Sequence, residues 1–218
     1  MTLRFAEEVL LLLLHDDNGK FARVPEWSLR YALGGGVLMD LALENRIDTD
    51  LEKLVLIDST PVGDHLLDPL LEEIAAATES HDARYWVEVA AGRAWEIREE
   101  ALSRLVERGI LEQREDRFLW VLSSRRYPVV DGKAERELKL RIMEVLFSDA
   151  LPDPRDIVII CLADACGIFK ELLAERELDL VAERIGQVRK MDLIGQAVSS
   201  AIWDIETAVA AAMPPLAY

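Results

Sequence analysis

The apolar run Val9–Leu14, near the start of the chain, constrains the fold more than any other stretch. Its leucines and valine surround a helix on every side, so protein must cover most of that helix. Six apolar residues are far fewer than the roughly 18 that cross a bilayer. Glu7 and Glu8 stand where a secretory signal needs positive charge. We therefore expect a short buried helix that the mature protein keeps, stopped by a turn at residues 17–19.

Helical periodicity dominates the rest of the chain, which is rich in Ala, Leu and Glu and has few alternating runs. The 218 residues, 51% of them hydrophobic, can bury a sizeable core. No internal repeat and no Pro-, Gly- or Ser-rich linker divides them. The sequence therefore predicts a mostly α protein with one domain over residues 1–218.

Capping and turn residues locate several elements. Ser28 is a candidate N-cap for "SLRYALGGGVLMDLALENR", and Asp68 with Pro69 predicts the start of "PLLEEIAAATE". One short hairpin is predicted in "RIDTDLEKLVLID" and another in "GILEQREDRFLWVLSS", with the second turn at Glu115 and Asp116. Further helices are predicted over residues 83–91, 96–107 and 134–147 and through the last third of the chain.

No catalytic or metal-binding constellation stands out. The Gly34–Gly36 triplet lacks the preceding strand and the following Lys-Ser or Lys-Thr of a phosphate-binding loop, so we interpret it as a site of close helix packing. Cys161 and Cys166 lie in the apolar run "IVIICLADACGIF" and are predicted to be buried thiols of a reducing cytoplasm. We expect no enzyme, no metal site and no cofactor.

The charge of the chain is unevenly distributed. A net charge of −16 disfavours electrostatic binding of nucleic acid or of an anionic membrane over a large surface. Residues 81–141, however, hold 13 Lys and Arg against 12 Asp and Glu, whereas the rest of the chain holds 12 against 29. Positive charge is therefore gathered around the second hairpin, either as salt-bridged helix faces or as a local site for an anion.

The second hairpin carries "FLWVL" followed by Arg125 and Arg126. A strand that is apolar on both faces is either covered on both sides or docked on an external surface. In the functional interpretation, Phe118 or Trp120 lies at the level of lipid headgroups while the two arginines reach phosphate. In the structural interpretation the strand belongs to the core.

Five blocks of the sequence, in this order and spacing, resemble the Golgi phosphoprotein 3 family from Thr2 to about Met213. They are "EEVLLLLLHDDNGKF", "ALGGGVLMDLALENRI", "STPVGDHLLDPLLEEI", "LVERGILEQREDRFLWVL" and "RRYPVVD". The resemblance implies a single globular domain with a central helical bundle, surrounding amphipathic helices and short β-hairpins. It also implies a non-enzymatic protein that sits on the cytoplasmic face of a membrane by binding phosphatidylinositol 4-phosphate. In eukaryotic members it further implies binding to the cytoplasmic tails of Golgi glycosyltransferases, and the matching hairpin is implicated in membrane contact and self-association.

The lipid site of the family maps onto this sequence only in part. Trp27 is a register-shifted counterpart of the family's tryptophan, and Arg98 matches the second of two basic residues. Gly34 stands where the family has an arginine, and Trp95 stands where it has the first basic residue. The residues that we predict to bind the headgroup are Trp27, Arg30, Arg98 and Arg104. Those that we predict to contact the membrane or another copy are Phe118, Trp120, Arg125 and Arg126.

Three functions remain open at this point. The leading one is a peripheral membrane adaptor that binds an anionic phospholipid headgroup, with a further protein partner and no nucleic acid. Three basic residues contribute about 3 kcal/mol at an anionic surface, less than the roughly 4 kcal/mol of a millimolar affinity, so we expect a homo-oligomer to bind more strongly than a monomer. The alternatives are a protein-only scaffold that has lost the lipid and a winged-helix-like DNA-binding module.

Overall fold

Helix α1 (Phe5–Leu12) lies at the centre of the fold, and all eight of its residues are buried. The computed structural model describes residues 2–14, 19–49, 53–118, 122–192 and 196–197, and for residues 115–118 and 122–125 it describes the backbone alone. The predicted buried helix is therefore confirmed, and the predicted turn after it falls mostly outside the described residues.

The other elements follow in chain order. They are α2 (Glu26–Leu43), β1 (Ile47–Thr49), β2 (Leu54–Leu56), α3 (Asp68–Ala76), α4 (Ala83–Gly92), α5 (Ala94–Glu107), β3 (Arg114–Phe118), β4 (Leu122–Arg126), α6 (Lys133–Leu146), α7 (Pro154–Ala165), α8 (Phe169–Leu172) and α9 (Glu175–Arg189). Helices α2, α5, α6 and α7 pack around α1, and α4 packs along α2. The mostly α class with a central bundle and short antiparallel hairpins is confirmed.

The glycine triplet serves helix packing, as predicted. A Cβ on Gly34 would lie 2.7 Å from the backbone nitrogen of Ala91 in α4, and one on Gly36 would lie 3.1 Å from the Cβ of Phe5 in α1. Real Cβ atoms do not approach a backbone nitrogen this closely, so α4 can cross α2 here only because Gly34 has no side chain.

Two predicted helix starts are wrong, by three residues for α2 and by one residue for α3. Helix α2 begins at Glu26 after Pro25, and Ser28 lies inside it, where its hydroxyl donates to the Pro25 carbonyl at 2.8 Å. Helix α3 begins at Asp68 itself. The Asp68 carboxylate accepts hydrogen bonds from the N–H groups of residues 62–64 at 2.7–3.1 Å, so it closes the preceding turn instead of capping its own helix.

The predicted turn of the second hairpin is also wrong. Glu115 and Asp116 lie inside β3, opposite Arg125 and Ser124, because a cross-strand pair of opposite charges suits a strand as well as it suits a turn. Phe118 is the register partner of Leu122 on the facing strand, so the five apolar residues are not one strand. Trp120 lies outside the described residues. The first hairpin, β1 with β2, agrees with its prediction.

Candidate functional site

Arg98 is the predicted site residue with the most distinctive surroundings. It lies in the second turn of α5, partly buried, and its guanidinium carbon stands 4.9 Å from the centroid of the Phe21 ring. Its Nε is buried without a hydrogen-bond partner. In the part of the chain that the structure describes, Arg98 forms no ion pair. An aromatic face therefore holds a positive charge in place, and the terminal guanidinium nitrogens, which are not buried, can still donate hydrogen bonds.

Phe21 is held by the link between α1 and α2, which pairs with two other segments. Phe21 forms a β-bridge with Leu14, and the Gly19 carbonyl accepts a hydrogen bond from the Tyr127 N–H at 2.8 Å. The Phe21 and Tyr127 rings lie 6.0 Å apart at 56°. Gly19 has φ +63°, and a Cβ there would lie 2.4 Å from the nitrogen of Pro128. The link thus ties the base of the second hairpin to the ring beneath Arg98.

Arg30 and Trp27 lie three residues apart on the N-terminal half of α2 and so share one face of the helix. Arg30 is exposed, and its Nε donates to the Ala91 carbonyl at the end of α4 at 3.2 Å. That contact satisfies one of the terminal carbonyls of α4 and suits a cation at a helix C-terminus. Trp27 is partly buried and packs on the core.

Arg104, in contrast, belongs to an interior charge network. Its guanidinium lies 2.5 Å from Asp64 and 3.4 Å from Glu7, and only 16% of the side chain is exposed. Although burial opposes it, the Leu66 N–H and Arg104 hold the pKa of Asp64 below its ordinary value. The charge of Arg104 is already balanced inside the protein, and we therefore leave it out of the site proposed below.

The interior charge network surrounds the start of α1 and was not predicted from the sequence. Glu7 faces Arg104 and Arg108 on α5, while Glu8 lies 3.1 Å from Arg141 and 3.2 Å from Arg155. Burial raises the pKa of both glutamates in spite of these arginines. The pair looks from the sequence like a solvated helix start, whereas it joins α1 to three neighbouring helices.

Asp40 on α2 is the most strongly perturbed carboxyl of this network. It is 1% exposed, its Oδ2 accepts a hydrogen bond from the Phe5 N–H at 2.8 Å, and Arg4 and Arg155 lie 3.7 Å from its Oδ1. Burial raises the pKa of Asp40 to about 7, and the Phe5 hydrogen bond and the two arginines oppose this only in part.

The sequence matches a known protein family. The sequence profile described as Golgi phosphoprotein 3 (GPP34) matches residues 5–205. The chain belongs to the Golgi phosphoprotein 3 family. It is 26% identical over 208 residues to vacuolar protein sorting-associated protein 74 of Eremothecium gossypii, with 79% of this chain and 62% of that protein covered. The chain thus spans less than two thirds of the length of this relative.

Gly34 and Trp95, the two positions where this sequence differs from the expected Golgi phosphoprotein 3 pattern, have different surroundings in the structure. Gly34, where the sequence resemblance leads us to expect an arginine, is the residue that lets α4 cross α2, so no larger side chain fits there in this arrangement. Trp95, which replaces a basic residue, is 67% exposed in the first turn of α5. Of the four matching positions, the structure leaves Arg98 as the one available cation.

The second hairpin of this protein has Arg125 and Arg126 near its base, the end away from the turn. Arg126 is partly buried and pairs with Arg114 in the ladder, and Arg125 pairs with Glu115. A groove of about 370 Å³ beside the base is lined by acidic side chains and by Tyr127. The acids are Glu96, Glu99 and Glu100. The negative charge of these side chains makes that groove unfavourable for an anion.

Three further observations concern the described residues of this protein. No helix there is both long enough and apolar enough to span a membrane. The same residues contain no group of three or more His, Cys, Asp or Glu arranged to hold a metal ion. Both cysteines are unpaired and buried, as predicted.

Proposed function

We propose that this protein is a non-enzymatic peripheral membrane adaptor of the cytoplasmic face that binds an anionic phospholipid headgroup, with phosphatidylinositol 4-phosphate as the first candidate. The headgroup site comprises Arg98, Arg30 and Trp27. The observation that carries the proposal is the setting of Arg98, whose guanidinium lies over Phe21 and forms no ion pair with the described residues. Membership of the Golgi phosphoprotein 3 family supports it.

A phosphate suits Arg98 for a physical reason. A guanidinium group without a carboxylate partner can form charge-assisted hydrogen bonds to phosphate oxygens through its terminal nitrogens without breaking an existing ion pair. The planar guanidinium can donate two parallel bonds to phosphate while its face stays on the aromatic ring. An arginine that is already paired, such as Arg104, gains nothing comparable because the anion must displace its carboxylates.

The site is weak when taken alone, which favours an oligomer. Two arginines near an anionic surface contribute about 2 kcal/mol, well short of a millimolar affinity. Several copies on one membrane multiply this small affinity, and the second hairpin is the segment that we propose for contact with the membrane or with another copy. We propose a protein partner as well. We propose no nucleic-acid partner.

Vesicle flotation tests the proposal. Full-length protein is mixed with phosphatidylcholine vesicles that contain either phosphatidylinositol 4-phosphate or no anionic lipid. We expect binding to the first kind alone, and its loss in Arg98→Ala. Arg176→Ala is the matched control, since it removes an exposed arginine of α9 and the same unit of charge. Equal binding to both vesicle types, or equal loss in both variants, contradicts a specific site at Arg98.

A protein-only scaffold remains the second candidate, and the packing at Gly34 favours it. The α4 backbone leaves no room for a side chain at Gly34, which supports the idea that this chain lacks one cation expected from the family resemblance. A scaffold fails to bind either vesicle type but still self-associates. Light scattering of the wild type and of a variant with Gly-Ser residues in place of 118–122 measures this association. Loss of association in the variant, without vesicle binding in the wild type, favours the scaffold.

A further inference from the structure

Trp95 is an exposed tryptophan whose side chain does not belong to the hydrophobic core. It lies at the second position of α5, and 67% of its surface is in contact with solvent. Trp86, one helix earlier, is 4% exposed, and Trp27 is partly buried. Leaving a large aromatic ring in water forfeits most of the stabilisation that its burial gives, so the core does not explain this residue.

The side chains around Trp95 are cationic and available. Arg98 follows one helical turn later on the same helix. Ala91, four residues before Trp95, accepts the hydrogen bond that holds Arg30 at the end of α4. Across the described ranges of the chain, neither Arg30 nor Arg98 forms an ion pair. Trp95 therefore has Arg98 one turn away on its own helix and Arg30 anchored at the end of the preceding helix, and neither charge is neutralised by a carboxylate of the described residues.

Glu96 and Glu99 are the acids of α5 nearest to Trp95, and both lie on the side of the indole opposite Arg98, because residues 96 and 99 are about +100° and +40° from residue 95 and residue 98 is about −60°. The Glu96 carboxylate lies 3.4 Å from Arg93, which also lies 3.4 Å from Glu73. This small salt-bridged group lies on the side of α5 away from Arg98, because residues 96 and 98 are about 200° apart around a helix. An anionic surface that meets Trp95 from the Arg98 side thus meets unpaired arginines before it meets glutamates.

We propose that Trp95 inserts its indole ring into the headgroup region of the bilayer whose anionic headgroup Arg98 binds. This inference rests on the proposed function and adds a residue to it. An amphipathic ring beside cations is the combination that favours the membrane interface, where the ring leaves water and the guanidinium groups stay at the phosphates. In this chain an apolar contact therefore takes the place of the basic residue that the Golgi phosphoprotein 3 pattern has at this position.

The replacement changes how binding depends on salt. An apolar contact is not screened by ions, whereas a cation near a lipid surface loses its effect as ionic strength rises. In vesicles that contain phosphatidylinositol 4-phosphate and phosphatidylserine, we expect Trp95→Ala to weaken binding about tenfold, equivalent to roughly 60 Å² of apolar surface left in water. Trp95→Arg restores binding at low salt and loses it at high salt.

The decisive experiment combines these variants with tryptophan fluorescence. Vesicles that carry bromine-labelled acyl chains quench an inserted indole, and the difference in quenching between the wild type and Trp95→Phe isolates the contribution of Trp95. Leu140→Ala is the matched control, because Leu140 is 69% exposed on α6. We expect the control to bind like the wild type and the Trp95 contribution to be quenched.

The outcomes separate this inference from the proposed function. If the wild type binds neither the vesicles with phosphatidylinositol 4-phosphate nor those without anionic lipid, both proposals fail. If Arg98→Ala abolishes binding while Trp95→Ala binds like the wild type and bromine-labelled lipid leaves Trp95 unquenched, this inference alone fails. If Trp95→Ala instead changes the oligomeric state without vesicles, Trp95 serves contact between copies, and the insertion is also overturned.

Discussion

Asp40 offers the sharpest test of the buried charge network. Its carboxylate caps the start of α1 through the Phe5 N–H, and burial raises its pKa from 3.8 to about 7. Because the folded state holds this proton more tightly than the unfolded state, folding takes up a proton between about pH 4 and pH 7. The contribution of Asp40 is therefore greatest in acid, falls as pH rises through the folded pKa, and levels off above about pH 7.

The size of the effect follows from the two pKa values. Each unit of pKa difference corresponds to about 1.4 kcal/mol, and most of the shift is titrated between pH 5 and pH 8, so this carboxyl alone lowers the free energy of unfolding by about 3 kcal/mol over that range. Asp40→Asn removes the charge but keeps an amide oxygen that can accept from the Phe5 N–H. Arg4 retains Glu44 and Asp64, and Arg155 retains Glu8.

Urea unfolding followed by far-UV circular dichroism, at several values between about pH 5 and pH 8, measures the difference between the wild type and Asp40→Asn. We expect the variant to gain about 3 kcal/mol relative to the wild type as pH rises across this range. Asp48→Asn, an exposed carboxyl on β1, is the control and should leave the pH dependence unchanged. Parallel curves for the wild type and Asp40→Asn would refute the reasoning.

Three further predictions follow from packing, charge and burial. Gly34→Ala places a Cβ 2.7 Å from a backbone nitrogen of α4 and should lower the free energy of unfolding by about 1–3 kcal/mol. Gly186→Ala has no neighbour within 4 Å and should raise it by up to about 1 kcal/mol, so equal melting temperatures of the two variants would contradict the helix crossing. Arg104→Ala removes a partner of two buried or nearly buried carboxylates and should lower the free energy of unfolding in urea by about 3 kcal/mol. A loss of only a few tenths of a kcal/mol would be typical of a surface ion pair and would contradict the interior network. Burial raises the pKa of the Cys161 thiol to about 12 and that of Cys166 as well, so neither should react with a thiol reagent until denaturant is added, and fast labelling of the folded protein would disprove their burial.

Local sequence signals predict the helices and fail where the same residues suit two structures. The periodicity of α4 and α6 places each within about a residue of its observed bounds, because an amphipathic helix shows its buried face in its own sequence. Glu115 and Asp116 are polar, and polarity alone does not separate a turn from a paired strand. Asp68 shows the same ambiguity, since a carboxylate before a helix can cap the helix or the turn.

The site is less predictable than the helices because its contacts join distant parts of the chain. Arg98 could be chosen by resemblance to the Golgi phosphoprotein 3 family, but its position over Phe21 depends on a bridge between Leu14 and the link that no local pattern reveals. Arg104 carries the same charge on the same helix and differs only in having Asp64 and Glu7 opposite it. Which arginine stays available is decided by tertiary pairing.

The pairing of Glu8 with Arg141 and Arg155 has a consequence for how the protein is made. The partners of this glutamate lie 133 and 147 residues later in the chain. At roughly 5–20 residues per second, the ribosome delivers them many seconds after α1 has emerged. Helix α1 can pack against α2 early, but α6 and α7 are synthesised much later. Until they emerge, part of its apolar surface has no partner and can drive aggregation of the nascent chain.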